Sequence, residues 1–214
     1  MGMRSQEDWQ AYSEAFAFIG NTLLAPLSQT RGPALDPGFW RSFPNFGSVV
    51  LEDELESMAD YVADVVAHPV NDPVTDISVE YTRLFVGPPR PAAAPWETMH
   101  SAGGTNVGFG RATHEMRELM RCAGVTLAQI NKQYEDHMGL ELLYLSVACA
   151  NHATGGSQPP FDRGSIVRFV HAHPLAWIGK LAESVESAAQ GGFFSHVLTI
   201  EKALLKRFVE EAAS

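Results

Sequence analysis

No window of the 214 residues approaches eighteen apolar positions without a polar interruption, which excludes a membrane-spanning helix. Cysteine is almost missing. Cys122 and Cys149 are the two present, without CxxC spacing, so neither a disulfide framework nor a thiolate metal motif is expected. Both fall in predicted helices and read as small buried apolar residues, in keeping with a reducing compartment. The opening MGMRSQEDWQ carries charge where a signal peptide needs an apolar core, and Gln6 stands where myristoylation needs Ser or Thr. The expected location is the cytoplasm. Lysine and arginine are absent between Arg41 and Arg83, a stretch that holds Glu52, Asp53, Glu54, Glu56, Asp60, Asp64, Asp72, Asp76 and Glu80. With 15 basic against 25 acidic residues the formal charge is −10, which repels nucleic acid and anionic lipid. Such a field either keeps a helix face solvated or attracts a cationic partner. Strand signals are missing as well, because no alternating β-branched runs are joined by hairpin turns. So are GxSxG, HExxH and a glycine-rich phosphate loop, and no catalytic residue, metal site or cofactor is expected.

What remains is helical periodicity. Leu51, Leu55, Met58, Val62 and Val66 form one stripe, with Glu52, Asp53 and Glu54 expected in its first turn, where the helix dipole favours negative charge. Met138, Leu142, Leu145 and Cys149 form a second, widened by Leu143, Val147 and Ala150, as in a helix covered on several sides. Phe193, Val197, Ile200, Leu204 and Phe208 form a third. Further helices are expected over 6–25, 74–85, 108–123, 161–172 and 174–188, with Pro174 opening the last. The expected fold is all-α, a single globular bundle of about 8–10 helices. Residues 86–106 hold four prolines and Gly103–Gly104 and read as one long functional loop carrying Trp96, Met99 and His100. The break ATGGSQPP at 153–160 is a candidate hinge before a C-terminal subdomain, compatible with a monomer or a domain-swapped dimer.

Glu135, Asp136, His137 and Glu141 gather at the head of the second stripe. His137 and Glu141 are i, i+4 and share a face. Four readings stay open: a cation site, an acid–base pair, a helix start with Asp136 as N-cap, or recognition of a positively charged ligand. Tyr81 and Phe85, also i, i+4, are either core or the aromatic wall of a groove completed by Trp96. His171 and His173 read as packing or capping residues, with His173 and Trp177 paired in the core.

Three segments in order resemble the TorD/DmsD/NarJ family of redox-enzyme maturation chaperones. They are EYTRLFVGP (80–88) with APWET (94–98), YEDHMGLEL (134–142), and His173 with Trp177 and Val185. GRATHEMRELMRCAGV (110–125) fits the helix between. Tyr134, Thr98 and His100 depart from the residues usual at their positions. The resemblance implies an all-helical chaperone without catalytic turnover. It would bind the twin-arginine leader, or another N-terminal segment, of a molybdopterin-containing oxidoreductase and hold it until the cofactor is loaded. Tyr81, Phe85, Trp96, Asp136 and His137 match positions of the family's leader-binding surface, and Glu135 and Glu141 match signature positions. Two alternatives are a NarJ-like assembly factor for a non-exported catalytic subunit and a small metal-dependent enzyme built on His137 and Glu141.

Overall fold

Why the second stripe is apolar on nearly every side becomes clear from its surroundings. In the computed structural model, which describes residues 5–30, 32–101, 108–126 and 132–213, it is the central helix of an all-helical fold. We number the helices in chain order. α1 (Gln6–Leu24) starts at a capping box: the Ser5 hydroxyl accepts from the Asp8 backbone and the Asp8 carboxylate accepts from the Ser5 backbone. α2 (Leu27–Thr30) and α3 (Pro37–Ser42) are short, and α4 (Val49–Ala67) begins at Ser48. α5 (Pro73–Tyr81) runs into a π-turn over Thr82–Val86. α6 (Glu97–His100), α7 (Arg111–Cys122), α8 (Met138–Ala153), α9 (Arg163–Ala172), α10 (Pro174–Ala188) and α11 (Phe193–Ala212) complete the order.

α8 lies along α1 so closely that the two backbones nearly touch. A β-carbon on Gly139 would stand 2.6 Å from the Gly20 carbonyl oxygen, and one on Gly20 would stand 2.8 Å from that of Gly139. Glycine at both positions is what lets the helices approach. The Ser13 hydroxyl donates to the Ser146 carbonyl at 2.9 Å across the same interface. α11 crosses beside them with Phe193, Val197, Ile200, Leu204 and Phe208 fully buried. Each side chain of that size contributes about 1.5–3 kcal/mol when removed from water. The start of α11 is capped from a distance by Glu80, whose carboxylate accepts from the Phe194 N–H at 3.0 Å. α4 packs on α11 and α3, and one continuous core joins all these elements.

Several expectations need correction. Val66 is exposed although the rest of its stripe is buried, and only Glu52 of the acidic trio lies in the first turn of α4, since Ser48 starts the helix three residues earlier than the stripe. Cys149 is buried, but Cys122 is exposed at the end of α7. The region 86–106 is not loop throughout, because α6 forms inside it; residues 102–107 of it lie outside the described residues. Across the expected hinge, the His152 Nε2–H donates to the Phe161 carbonyl at 2.6 Å, tying the end of α8 to the approach of α9. Among the described residues no helix is long and apolar enough to cross a membrane.

Candidate functional site

The conspicuous DH pair sits where an extended stretch, Pro95–Glu97, crosses the head of α8. The Met138 N–H donates to the Pro95 carbonyl at 3.0 Å and the Glu97 N–H to the Asp136 carbonyl at 2.9 Å, so Trp96 and His137 pair antiparallel. The Asp136 side chain is completely buried and fastens three segments. Its Oδ2 accepts from the Thr98 N–H and its Oδ1 from the Thr113 hydroxyl of α7, both at 2.9 Å. Gly110 belongs to the same lock: its N–H donates to Thr113 Oγ1, and a β-carbon there would stand 2.5 Å from Thr98 Cγ2. Asp136 is therefore not the N-cap of α8. His137 is, through Nδ1, which accepts from the Gly139 N–H at 3.0 Å. Burial pushes the His137 pKa down to about 3, so the ring is neutral with its proton on Nε2. That N–H and the Trp96 indole N–H are buried donors without an acceptor among the described residues.

Behind the junction lies a second polar group whose members are far apart in sequence. The His173 Nδ1–H donates to Glu97 Oε2 at 2.8 Å, and the Trp177 indole N–H donates to Glu141 Oε2 at 3.1 Å. His173, Glu97 and Glu141 are all buried. Glu141 Oε1 has no hydrogen-bond partner among the described residues. Burial first, then the Glu97 carboxylate, push the Glu141 carboxyl well above its ordinary range, and Asp136 and Glu201 add to the effect. Glu97 carries no motif beyond the PWET resemblance, and Glu201 of α11 none at all. His173 was legible as a capping residue, and it does join α9 to α10. Its expected core partner Trp177 is buried as well, and stacks on His100 with ring centres 5.2 Å apart. His171 is exposed.

The seven residues singled out from the sequence therefore separate. Trp96, Asp136, His137 and Glu141 come together around the head of α8. Glu135 lies at its rim and forms a two-pronged pair with Arg117 at 2.8 and 2.9 Å, which lowers its pKa. Tyr81 and Phe85 sit elsewhere, 3% exposed each, packed against Phe194 of α11. In this conformation Tyr81, Phe85, Asp136, His137 and Glu141 have almost no side-chain surface with which to touch a ligand.

The open surface is one helix away. A cavity of about 610 Å³ lies between α7 and the end of α9, with His114, Glu115, Glu118 and Leu119 on one wall, Ala172 on the other, and Glu97 and His173 contributing to its lining. A second, of about 330 Å³, adjoins it through Leu119, Ala172 and His173 and runs over Tyr144, Ile166 and Phe169. Together they make a groove with an apolar floor and a polar end. Its acidic side chains are tethered locally, Glu115 by Arg111 at 2.8 Å and Glu118 by Arg121 at 2.6 Å. These are exposed pairs of little intrinsic strength, open to exchange.

Two relatives called chaperone protein TorD, from the M66-2 and Classical Ogawa 395 strains of Vibrio cholerae serotype O1, are each 23% identical to this chain over 134 residues. The matched region is 62% of this chain and 60% of each relative, so the chain spans about three fifths of the length of the curated relatives it matches. A family model described as nitrate reductase delta subunit matches residues 49–183, which run from the start of α4 into α10 and take in the whole DH junction. The match covers well over half of the sequence, and the chain belongs to the nitrate reductase delta subunit family, the TorD/NarJ group that its motifs resemble.

Proposed function

We propose that this protein is a redox-enzyme maturation chaperone that holds an N-terminal segment of a molybdopterin oxidoreductase in the groove between α7 and α9. The observation that carries the reading is the position of that groove: its open wall carries Glu115 and Glu118 of α7, and its inner end reaches the buried Glu97 and His173, next to the segment that bears the DH motif. A twin-arginine leader offers two guanidinium groups followed by an apolar stretch. Leu119, Ile166, Phe169 and Ala172 provide apolar surface for the second part, and Glu115 or Glu118 can trade Arg111 or Arg121 for a ligand arginine. Most of the affinity comes from apolar burial, because desolvation cancels much of the charge attraction. Three or four leucine-sized contacts at about 1.5–3 kcal/mol each, less the cost of ordering the segment, correspond to roughly micromolar binding. The buried Asp136 acts by holding α6, α7 and α8 in register, His137 by capping α8, Glu141 by bonding Trp177 of α10, and Tyr81 and Phe85 by anchoring the π-turn to α11. The chain acts in the cytoplasm, before export or membrane assembly, and without catalytic turnover.

A second client class is a non-exported catalytic subunit whose N-terminus lacks the arginine pair, and the family's description, nitrate reductase delta subunit, fits a nitrate reductase in that role. Titration calorimetry separates the two. One peptide carries an arginine pair and an apolar stretch; a second has the pair replaced by alanine; a third is the N-terminal segment of a non-exported nitrate reductase subunit. Roughly micromolar binding of the first, lost in the second, supports the exported client, whereas preference for the third supports the other. Leu119→Asp weakens the preferred peptide at least about tenfold with helix content unchanged. No binding of any peptide, or equal binding by the variant, overturns the groove.

A further inference from the structure

The interior polar group behind the groove has a composition that a structural core does not explain. Glu97, Glu141 and His173 each place one donor atom within 4.8 Å of the other two, and all three are buried. They reach this point from three elements: the start of α6, the first turn of α8 and the α9–α10 junction. Two carboxylates that close repel one another unless one keeps its proton or a cation stands between them. No lysine or arginine supplies that cation: the Glu141 carboxyl group receives only the Trp177 indole N–H, and its Oε1 has no donor among the described residues. Glu201 adds a third acidic side chain nearby: it is fully buried on α11, and neither of its oxygens has a hydrogen-bond partner among the described residues.

We infer that Glu97, Glu141 and His173 form a site for a divalent first-row metal ion that lashes α6, α8 and the α9–α10 junction together. Donors about 2.1 Å from a tetrahedral ion stand roughly 3.4 Å apart, between the 2.8 Å of the Glu97–His173 hydrogen bond that the ion would replace and the 4.8 Å within which all three donor atoms fall. Two carboxylate oxygens and an imidazole nitrogen, without thiolate, suit Zn²⁺, Mn²⁺ or Fe²⁺. Ca²⁺ asks for six to eight oxygens, more than this group supplies. The ion's charge cancels that of the two carboxylates. Glu97 and His173 also line the cavity beside α7, which provides the route of entry and leaves the remaining coordination position for water. The site is structural; it shares Glu97 and His173 with the inner end of the groove, but its metal content is measured without any peptide.

The test uses the full chain, stripped with a chelator and titrated with ZnCl₂ and then MnCl₂ by calorimetry, alongside Co²⁺ absorption spectra. One equivalent of Zn²⁺ is expected, with a raised Tm and visible Co²⁺ bands free of a sulfur charge-transfer band. Glu141→Gln is expected to fold, because its amide oxygen can still accept from Trp177, and to bind Zn²⁺ at least about tenfold more weakly. Glu97→Gln is the second variant, to be read in the same way should the first fail to fold. Uptake below about a tenth of an equivalent by the unaltered chain overturns the site. So does undiminished Zn²⁺ affinity in a folded variant, which would assign the ion to Cys122 and His114 or to the acidic surface of α4.

Discussion

The carboxylate of Asp136 accepts the backbone N–H of Thr98 at 2.9 Å, across 38 positions of sequence and fully out of solvent. This bond and its twin to the Thr113 hydroxyl make a motif residue that looks poised for a ligand into a clamp between helices. The charge is spent inside the protein, on donors that would otherwise be buried without acceptors.

Asp136→Ala should therefore act on stability first. It leaves the Thr98 N–H and the Thr113 hydroxyl unpaired, at about 1–3 kcal/mol each. We expect urea unfolding to show a loss of about 2–4 kcal/mol, with the far-ultraviolet dichroism of the folded protein little changed. Asp136→Asn, which keeps one acceptor oxygen, should recover part of the loss. Equal stability of the alanine variant and the unaltered chain would contradict the clamp.

Two glycines should respond oppositely to alanine. At Gly139 the new methyl meets the Gly20 carbonyl at 2.6 Å and the Leu24 side chain at 2.7 Å. Overpacking of that kind costs about 1–3 kcal/mol and outweighs alanine's better helix propensity. At Gly179 in α10 nothing lies within 4 Å of the position. There alanine should stabilise by up to about 1 kcal/mol. Thermal melts of the two variants side by side check both signs.

Glu201→Met should stabilise chelator-treated protein, and by more at neutral than at acidic pH. Burial raises the Glu201 carboxyl well above its unfolded value near 4.5. A group raised in this way contributes its full stability below the unfolded value and loses it as pH climbs toward the folded one. The variant's advantage should thus be small near pH 4.5 and grow above it by up to about 1.4 kcal/mol per pH unit. Denaturation at pH 4.5 and pH 7 measures it, and a pH-independent difference would mean that Glu201 is ionised in the folded chain.

Thiol titration distinguishes the two cysteines. Cys122 is exposed, but its S–H donates to Glu118 at 3.3 Å and that carboxylate pushes its pKa up. Cys149 is buried in α8. An aromatic disulfide reagent should modify one thiol of the folded chain, more slowly than free cysteine at pH 8, and the second only after unfolding.

Much of the architecture was legible because its signals are local. The stripes Leu51 to Val62, Met138 to Cys149 and Phe193 to Phe208 each predict a helix that forms, and Pro174 opens α10 as expected. α6 escaped because four residues in a proline-rich stretch carry too weak a pattern, and it is held by the Asp136 backbone and side chain rather than by its own propensity. The cap of α8 was off by one residue: Asp136 and His137 are both competent, and the choice depends on Thr98 and Thr113 claiming the aspartate. Tyr81 and Phe85 show aromatic spacing that fits either a groove or a core, and Phe194, more than a hundred positions away, decides for the core.

Read alone, the amino-acid order determined the helical class, the main helical stripes, the lack of a long uninterrupted apolar run and the family motifs. Each depends on neighbours within a turn or two. Folding in three dimensions decided which polar groups meet. It set Glu97 against His173 across 76 positions, brought Glu141 beside them, and left a cavity between α7 and α9. The physical reason is that burial and hydrogen-bond pairing are properties of packed segments, and no side chain's share of either is written in its own vicinity.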